Sequence, residues 1–402
     1  MRVLAVDDDP LILKALNRTF CVRWPEWEIV AVTSGELAVG WLTRSTFDLV
    51  LTDMQMPGMD GSLVLKMARE LQPSAIRVVL SGHAPLLRIM EAQGDYHRFL
   101  TKPIDPNELM TILGAYCLEG KDEGTKKARA FVAGLDGLPC LPRNLVRLRT
   151  LLEDPSQSKV EIHKEIARDI GMAAKLLKLV NSAYLTFGRS ITDLKQAVKY
   201  LGADVIRELV MNRAVLASAV DVTPEGLDLE VLWAHSRKVG LKASALVLKE
   251  TGSESAAAEA YSIGLLHDVG MVVLANTPAS GYRSILEEAV RTGASLPELE
   301  RARYGTDHVQ IGAQILSLWG LPESFSTVIL EHHARHLADH TSLTSLALHV
   351  AQAPMGNGDL RSAYNEAQFI EGVDSADSAS VDALWERILV PWKQHREAIG
   401  KA

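Results

Sequence analysis

Short apolar runs alternate with amphipathic stretches over about the first 120 residues, and helical periodicity replaces that alternation afterwards. The runs "VLAV", "EIVAV", "LVLT", "RVVLS" and "RFLT" are apolar almost throughout, as strands covered on both faces must be. Between them, Leu11–Phe20, Glu36–Leu42, Ser62–Leu71 and Glu108–Leu118 carry helical spacing. This succession of βα units predicts an α/β fold with a doubly wound five-stranded parallel sheet over residues 1–120. From Glu119 to Ala130 the chain turns charged and glycine-containing, and a linker is expected at 121–132. Beyond it, "NLVRLRTLL", "AAKLLKLV", "LKASALVLK" and "IGAQILSLW" predict an all-α region over 133–340. After Pro354, polar stretches such as "GVDSADSAS" predict a loose connection and one last helix near Val381–Ala398, within a helical extension at 341–402.

Composition narrows the class without deciding the function. Hydrophobic residues at 47% and charged residues at 23% describe an ordinary globular chain of 402 residues, long enough for separate cores. The net charge of −8 gives no general reason to expect nucleic acid as a partner. Cys21, Cys117 and Cys140 have no CxxC spacing, which suggests a reducing compartment and no thiolate metal framework. "MRVLAVDDDP" turns acidic too early for a signal peptide. No apolar run in the sequence reaches the roughly 20 residues of a membrane span. A cytoplasmic protein with no membrane partner is the expectation.

The chemistry of the first region lies at its strand ends. Asp7 and Asp8 follow the first strand, Asp53 ends the third, Ser81 the fourth, and Lys102 follows the fifth. In a doubly wound sheet those positions converge on one crevice. Three crowded carboxylates need a cation, and Mg²⁺ suits hard oxygen donors and a phosphate. One carboxylate can then act as nucleophile toward a phosphoryl group, with Lys102 and Ser81 stabilising it.

"VDDDP", "LVLTDMQMPGMDG", "VVLSGH" and "FLTKPID" together resemble the response-regulator receiver domain of two-component signalling. The resemblance covers about the first 118 residues and implies a flavodoxin-like fold with Asp53 as phosphoacceptor. It implies Mg²⁺ held by Asp8 directly, Asp7 through water, Asp53 itself and the backbone carbonyl of Gln55. Ser81 and Phe99 match the hydroxyl-aromatic switch pair, and Pro103 the position that often follows a cis peptide. A cognate histidine kinase or phosphotransfer protein is the implied donor.

The second region resembles the HDOD domain, a divergent relative of the HD phosphohydrolases. "GLPCLPRNLVRL", "DIGMAAKLLKLVNSAY", "SITDLKQAVKYLGADVIREL", "LWAHS", "GLLHDVG", "YGTDHVQIGAQILSLWGLP" and "ILEHH" carry it, over roughly Gly137 to His333. His235, His267 and Asp268 match metal-ligand positions of catalytic HD domains. His308, His332 and His333 match those of a second metal in the cyclic-dinucleotide hydrolases. Three departures weaken the site: Gln352 stands where a final Asp is expected, Met271 where a lysine is frequent, and "ARHLAD" follows His333 with no GYP sequence. A weakly held transition metal is therefore the most that the resemblance implies.

The expected output is a protein-interaction module serving an unknown downstream signalling protein, with homodimerisation as one route. A metal-dependent phosphohydrolase is the alternative. A DNA-binding regulator ranks below both. It rests on the helix-turn-helix-like spacing of Ala167 and Gly171 and on eleven Lys/Arg against six Asp/Glu between Arg143 and Lys199. The segment after Gly171 offers Met, Ala and Leu where base-reading side chains are needed.

Overall fold

The computed structural model describes residues 1–82, 92, 94–102, 109, 123–135, 137–153, 159–183, 190–211, 227–277, 281–333, 342–352, 389 and 393. The expected helices at Glu108–Leu118 and Val381–Ala398, and Pro103, lie outside the described residues except for Leu109, Leu389 and Lys393.

Five strands form one sheet: β1 (Arg2–Val6), β2 (Glu28–Val32), β3 (Leu49–Asp53), β4 (Ile76–Ser81) and β5 (Arg98–Thr101). Their order is β2-β1-β3-β4-β5 and every pairing is parallel. Three described helices lie among them: α1 (Pro10–Arg23), α2 (Gly35–Leu42) and α3 (Gly61–Leu71). Alternate residues of β1 feed different cores, with Leu4 and Val6 against Val50, Val64 and Ala68 on one face. Val3 and Ala5 meet Leu49, Leu51 and Phe20 on the other. That two-sided burial explains the unbroken apolar runs. Because β1 connects outward to β2 on one side and pairs β3 on the other, a crevice opens past the carboxyl ends of β1 and β3.

Asp9 closes the start of α1, its side chain accepting from the Leu11 N–H at 2.8 Å with Pro10 at the first helical position. Capping thus occupies Asp9 and leaves Asp7 and Asp8 for other work. Asp60 caps α3 in the same manner, its carboxylate accepting from the Leu63 N–H. Gly61 next to it is required by close approach, since a Cβ there would lie 1.8 Å from the Asp53 carbonyl oxygen. Gly61→Ala is therefore expected to lower stability by about 1–3 kcal/mol through a forced backbone shift at the end of β3. Urea unfolding with an unchanged midpoint would contradict this.

The remaining described elements are helical, as predicted. Most of the expected linker is helical: Glu123–Ala133 is a helix that buries Ala128, Val132 and Ala133. Its Phe131 ring meets Tyr304 edge-on at 6.2 Å. The helix packs on His308–Leu318, so it belongs structurally to the second region. Only three of its eleven residues are buried apolar positions, a stripe too thin to stand out from the surrounding charge. The extension expected from 341 begins, among the described residues, with a helix. Leu343–Gln352 is a helix that packs on Leu229–Thr251 and buries Leu346, Ala347, Leu348, Val350 and Ala351. It is part of the helical core and not an appendage.

One stretch, Glu254–Ala275, is long and apolar enough to cross a membrane by length and composition. It lies inside the helical region with 83% of its most apolar window buried. His267 and Asp268 interrupt it, ending the helix Glu254–Leu266 and starting Val269–Ala275.

The two regions touch at the amino ends of β4 and β5. The Arg77 guanidinium donates to the Ala133 carbonyl at 3.5 Å, and His97 Nε2 lies 3.1 Å from the same oxygen. Lys178 Nζ donates to the Tyr96 carbonyl at 2.7 Å and sits over the Tyr96 ring.

Candidate functional sites

At the carboxyl end of the sheet, Asp7, Asp8 and Asp53 bring one oxygen each within 4.8 Å of one another. Asp7 and Asp53 are buried, whereas Asp8 and Gln55 are exposed. Lys102 Nζ bridges the buried pair, 2.6 Å from Asp7 Oδ2 and 2.9 Å from Asp53 Oδ2. The other Asp53 oxygen accepts from the Met54 N–H at 2.8 Å. Burial raises the Asp7 pKa, opposed by the hydrogen bond from Lys102. For Lys102, burial works against the charge, but hydrogen bonds and charge from Asp7 and Asp53 outweigh it and raise the pKa. The three carboxylates offer the hard oxygen donors that Mg²⁺ takes.

Ser81 ends β4 in a buried position, and its carbonyl accepts from the Lys102 N–H at 2.9 Å. Phe99 is buried in β5, its ring 6.4 Å from that of Tyr96. Every strand-end residue singled out in the sequence thus stands at one end of one sheet, with Phe99 inside it.

The second cluster is built around Asp268. His267 Nε2 lies 2.9 Å and His235 Nε2 3.6 Å from Asp268 Oδ2. His332 Nε2 and His308 Nε2 lie 3.5 Å and 3.8 Å from the other oxygen, Oδ1. Donor atoms fall into two sets, His235 with His267 and Asp268, and Asp268 with His308, His332 and His333. Asp268 belongs to both. Close packing makes this possible: a Cβ on Gly270 would lie 2.0 Å from the His308 carbonyl oxygen. Asp307 caps the helix that His308 begins, accepting from the Gln310 N–H, and Arg301 pairs with it.

The outer nitrogens of three rings are already engaged. His267 Nδ1 is 2.7 Å from the Gly264 carbonyl, His332 Nδ1 2.5 Å from that of Ile329, and His308 Nδ1 2.6 Å from Glu300 Oε2. Each contact aims Nε2 at Asp268, the arrangement by which a second shell orients metal-binding imidazoles. His308 Nε2 and His332 Nε2 are buried and make no hydrogen bond, as atoms reserved for an ion would be. Burial would raise the Asp268 pKa, but the charge and hydrogen bond of His267, with help from His332 and His235, hold it well below the carboxylate range. Burial lowers His235 to about 4 and also lowers His332. His308 is the exception, because Glu300 overcomes the burial penalty and lifts it to about 9.

Glu300 and Tyr282 went unnoticed in the sequence. Glu300 is fully buried and accepts from the Tyr282 hydroxyl at 2.5 Å and the His308 N–H at 2.9 Å. A charged residue in "LPELERARY" looks like ordinary helix surface, and nothing in that spacing marks it. Of the departures noted above, Met271 is buried, and Gln352 presents a buried Nε2 with no hydrogen-bond partner among the described residues. The segment "ARHLAD" lies outside the described residues.

Comparison with known proteins adds the family. The response regulator receiver domain profile matches residues 3–114, and the HDOD domain profile residues 138–335. An uncharacterized protein of Treponema pallidum is 28% identical over 219 residues, covering 54% of this chain and 41% of that protein. The response regulator protein FleR of Pseudomonas aeruginosa is 35% identical over 121 residues, 29% of this chain and 24% of FleR. The chain spans less than half the length of these curated relatives. Among solved structures, a virulence factor of Campylobacter jejuni aligns at 20% identity and TM-score 0.48, over 57% of this chain and 82% of its own. The chain is thus a response regulator in which a receiver domain, residues 3–114, is followed by an HDOD domain, residues 138–335.

Proposed function

We propose that Asp53 accepts a phosphoryl group from a histidine kinase or phosphotransfer protein, and that this switches the HDOD region as a cytoplasmic protein-interaction module. The observation that carries it is the Lys102 ammonium spanning Asp7 and Asp53 at the strand ends. Asp7, Asp8, Asp53 and the Gln55 carbonyl would hold Mg²⁺, which supplies charge neutralisation between the carboxylates and the incoming group. Lys102 then turns from the carboxylate pair to a phosphoryl oxygen, and the Ser81 hydroxyl donates to another. Phe99 can follow Ser81 inward because both lie beside β4 and β5, and its neighbour Tyr96 contacts Lys178 of the helical region. A coupling of about 1–3 kcal/mol is typical of such switches.

Incubation with a small phosphodonor and Mg²⁺ is expected to label the wild-type protein, and Asp53→Asn to abolish the label. Persistent incorporation in that variant would remove Asp53 from the role.

A second reading of the output region is favoured by one observation, the sharing of Asp268 between two histidine sets. The imidazole and carboxylate donors suit Mn, Fe or Zn. The six side chains would hold such ions, which act as Lewis acids toward a phosphoester. Glu300 would fix the His308 ring. Gln352 offers no anionic charge to complete the set, and buried Met271 supplies no cation to a substrate phosphate. Metal binding without efficient hydrolysis is the reading these residues support.

A further inference from the structure

The arginines that give the stretch after Arg143 its positive surplus do not spread over one helix face. Arg143 and Arg147 of the helix Pro142–Glu153, Arg168 ahead of Ile170–Ala183, and Arg237 of Leu229–Thr251 line one cavity of about 310 Å³. We propose that this cavity binds a nucleoside diphosphate or a phosphoanhydride of similar size.

Four guanidinium groups face a single carboxylate on the cavity wall, that of Glu230, 2.8 Å from Arg143. Arg168 is paired outside the wall with Glu165 at 2.7 Å. Among the described residues, Arg147 and Arg237 make neither an ion pair nor a hydrogen bond. Arginine stays protonated at any physiological pH, so the unpaired members of the cluster attract an anion. With Glu230 and Glu165 set against the four arginines, a surplus of two positive charges remains at the wall of a chain of net charge −8.

A second feature suits a ligand with a flat ring. Trp233 lines the same cavity and is itself 2% exposed, so its indole is held in place by the surrounding packing. The wall is also held in place from behind. Asp169 accepts from the Leu141 N–H at 2.6 Å and from Asn144 Nδ2 at 3.2 Å, tying the Arg168 turn to the helix that carries Arg143 and Arg147.

The chemistry selects the ligand. Guanidinium forks take phosphate oxygens two at a time and stack on flat rings. A nucleoside diphosphate brings about three negative charges at neutral pH, enough to engage the two unpaired arginines and a third guanidinium. The cavity volume falls at the lower end of small-molecule sites, about 300–1,000 Å³. A recessed site of this size fits a compact anion better than a duplex. The helix after the Gly171 turn is buried from Ile170 to Val180 apart from Lys175, so it offers no face to a groove. None of the six residues around Asp268 lines the cavity.

Calorimetric titration of the full chain with ADP, GDP and inorganic pyrophosphate tests the proposal. One-to-one binding of a nucleoside diphosphate is expected, tighter than pyrophosphate and undiminished by EDTA. Arg147→Gln and Arg237→Gln should each weaken it about tenfold. Arg147→Lys, which keeps the charge and loses the fork, should fall between wild type and Arg147→Gln. Matching thermal melts for the surface variants exclude unfolding as the cause. No heat at millimolar ligand, or wild-type affinity in both glutamine variants, would overturn the assignment. So would pyrophosphate binding as tightly as ADP. Duplex DNA bound through these arginines by a protein indifferent to nucleotides would also overturn it and return the surface to nucleic acid.

Discussion

Asp268→Ala is expected to strip metal from the whole histidine centre, whereas His235→Ala is expected to remove about half. The difference follows from connectivity: Asp268 Oδ2 faces His235 and His267, while Oδ1 faces His308 and His332. Losing the carboxylate removes the single anion common to both sets, and ions held by neutral imidazoles alone are bound less tightly. Losing His235 touches one set only. Glu300→Gln leaves all six ligands in place but weakens the carboxylate that orients His308, and should lower affinity about 10–100-fold. Elemental analysis of protein purified with Mn, Fe or Zn, with chelator competition for the affinities, gives these numbers. Metal content in Asp268→Ala equal to wild type would refute the shared-ligand reading. Turnover of cyclic dinucleotides or generic phosphodiesters that disappears in Asp268→Ala would promote the site from a binding centre to an enzyme.

The second large effect is expected from pH acting on Lys178. This lysine lies between the receiver and the helices, bonded to the Tyr96 carbonyl and placed 5.8 Å from the Trp319 ring centre. Burial, then the charges of Arg77 and Lys175, lower its pKa from 10.5 to about 7, with Asp95 opposing. Between those two values the unfolded chain holds a proton that the folded chain has released, so stability rises with pH across the window. Below about 7 both states are protonated and the full cost of the buried charge is present. Lys178→Met abolishes this dependence and also gives up the Tyr96 hydrogen bond. At pH near 6 the variant should therefore compare best with wild type, and its relative standing should worsen by roughly 2 kcal/mol or more toward pH 9. Urea unfolding at a series of pH values measures the difference. Parallel pH profiles for the two proteins would show that Lys178 is not titrating in this range.

How legible these features were depends on how local their causes are. The strands could be read because β1 and β3 are buried on both faces and so carry unbroken apolar runs, Val3–Val6 and Leu49–Leu51. Asp7, Asp8, Asp53, Ser81 and Lys102 could be read because each stands at or just past its own strand end. The histidines and Asp268 were recognisable in short motifs, but the sharing of one carboxylate by two sets arises only when separate helices close around it. Glu300 reaches Tyr282 across 18 positions and His308 across eight, and no periodicity records such pairings. The helix Glu123–Ala133 was taken for a linker because its buried stripe is supplied by contact with His308–Leu318, not by its own composition. Arg77, His97 and Lys178 are buried bases at the joint, bonded to carbonyls distant in the sequence, which no local pattern records.

That meeting lies at the foot of the sheet. The hydrogen bonds from Arg77, His97 and Lys178 sit at the amino ends of β4 and β5, whereas Asp53 and Lys102 stand at the opposite rim. Among the described residues, the acidic rim and the joint between the halves thus stand at opposite ends of the sheet, and a group added at the rim would not have to break the joint. Among the described elements β5 spans from rim to joint, four residues and roughly 13 Å of extended chain, with Phe99 near its middle and Tyr96 at its foot. Strain imposed beside Lys102 would reach Lys178 along that strand, so a response carried this way should show as altered tightness between engaged halves rather than as their separation.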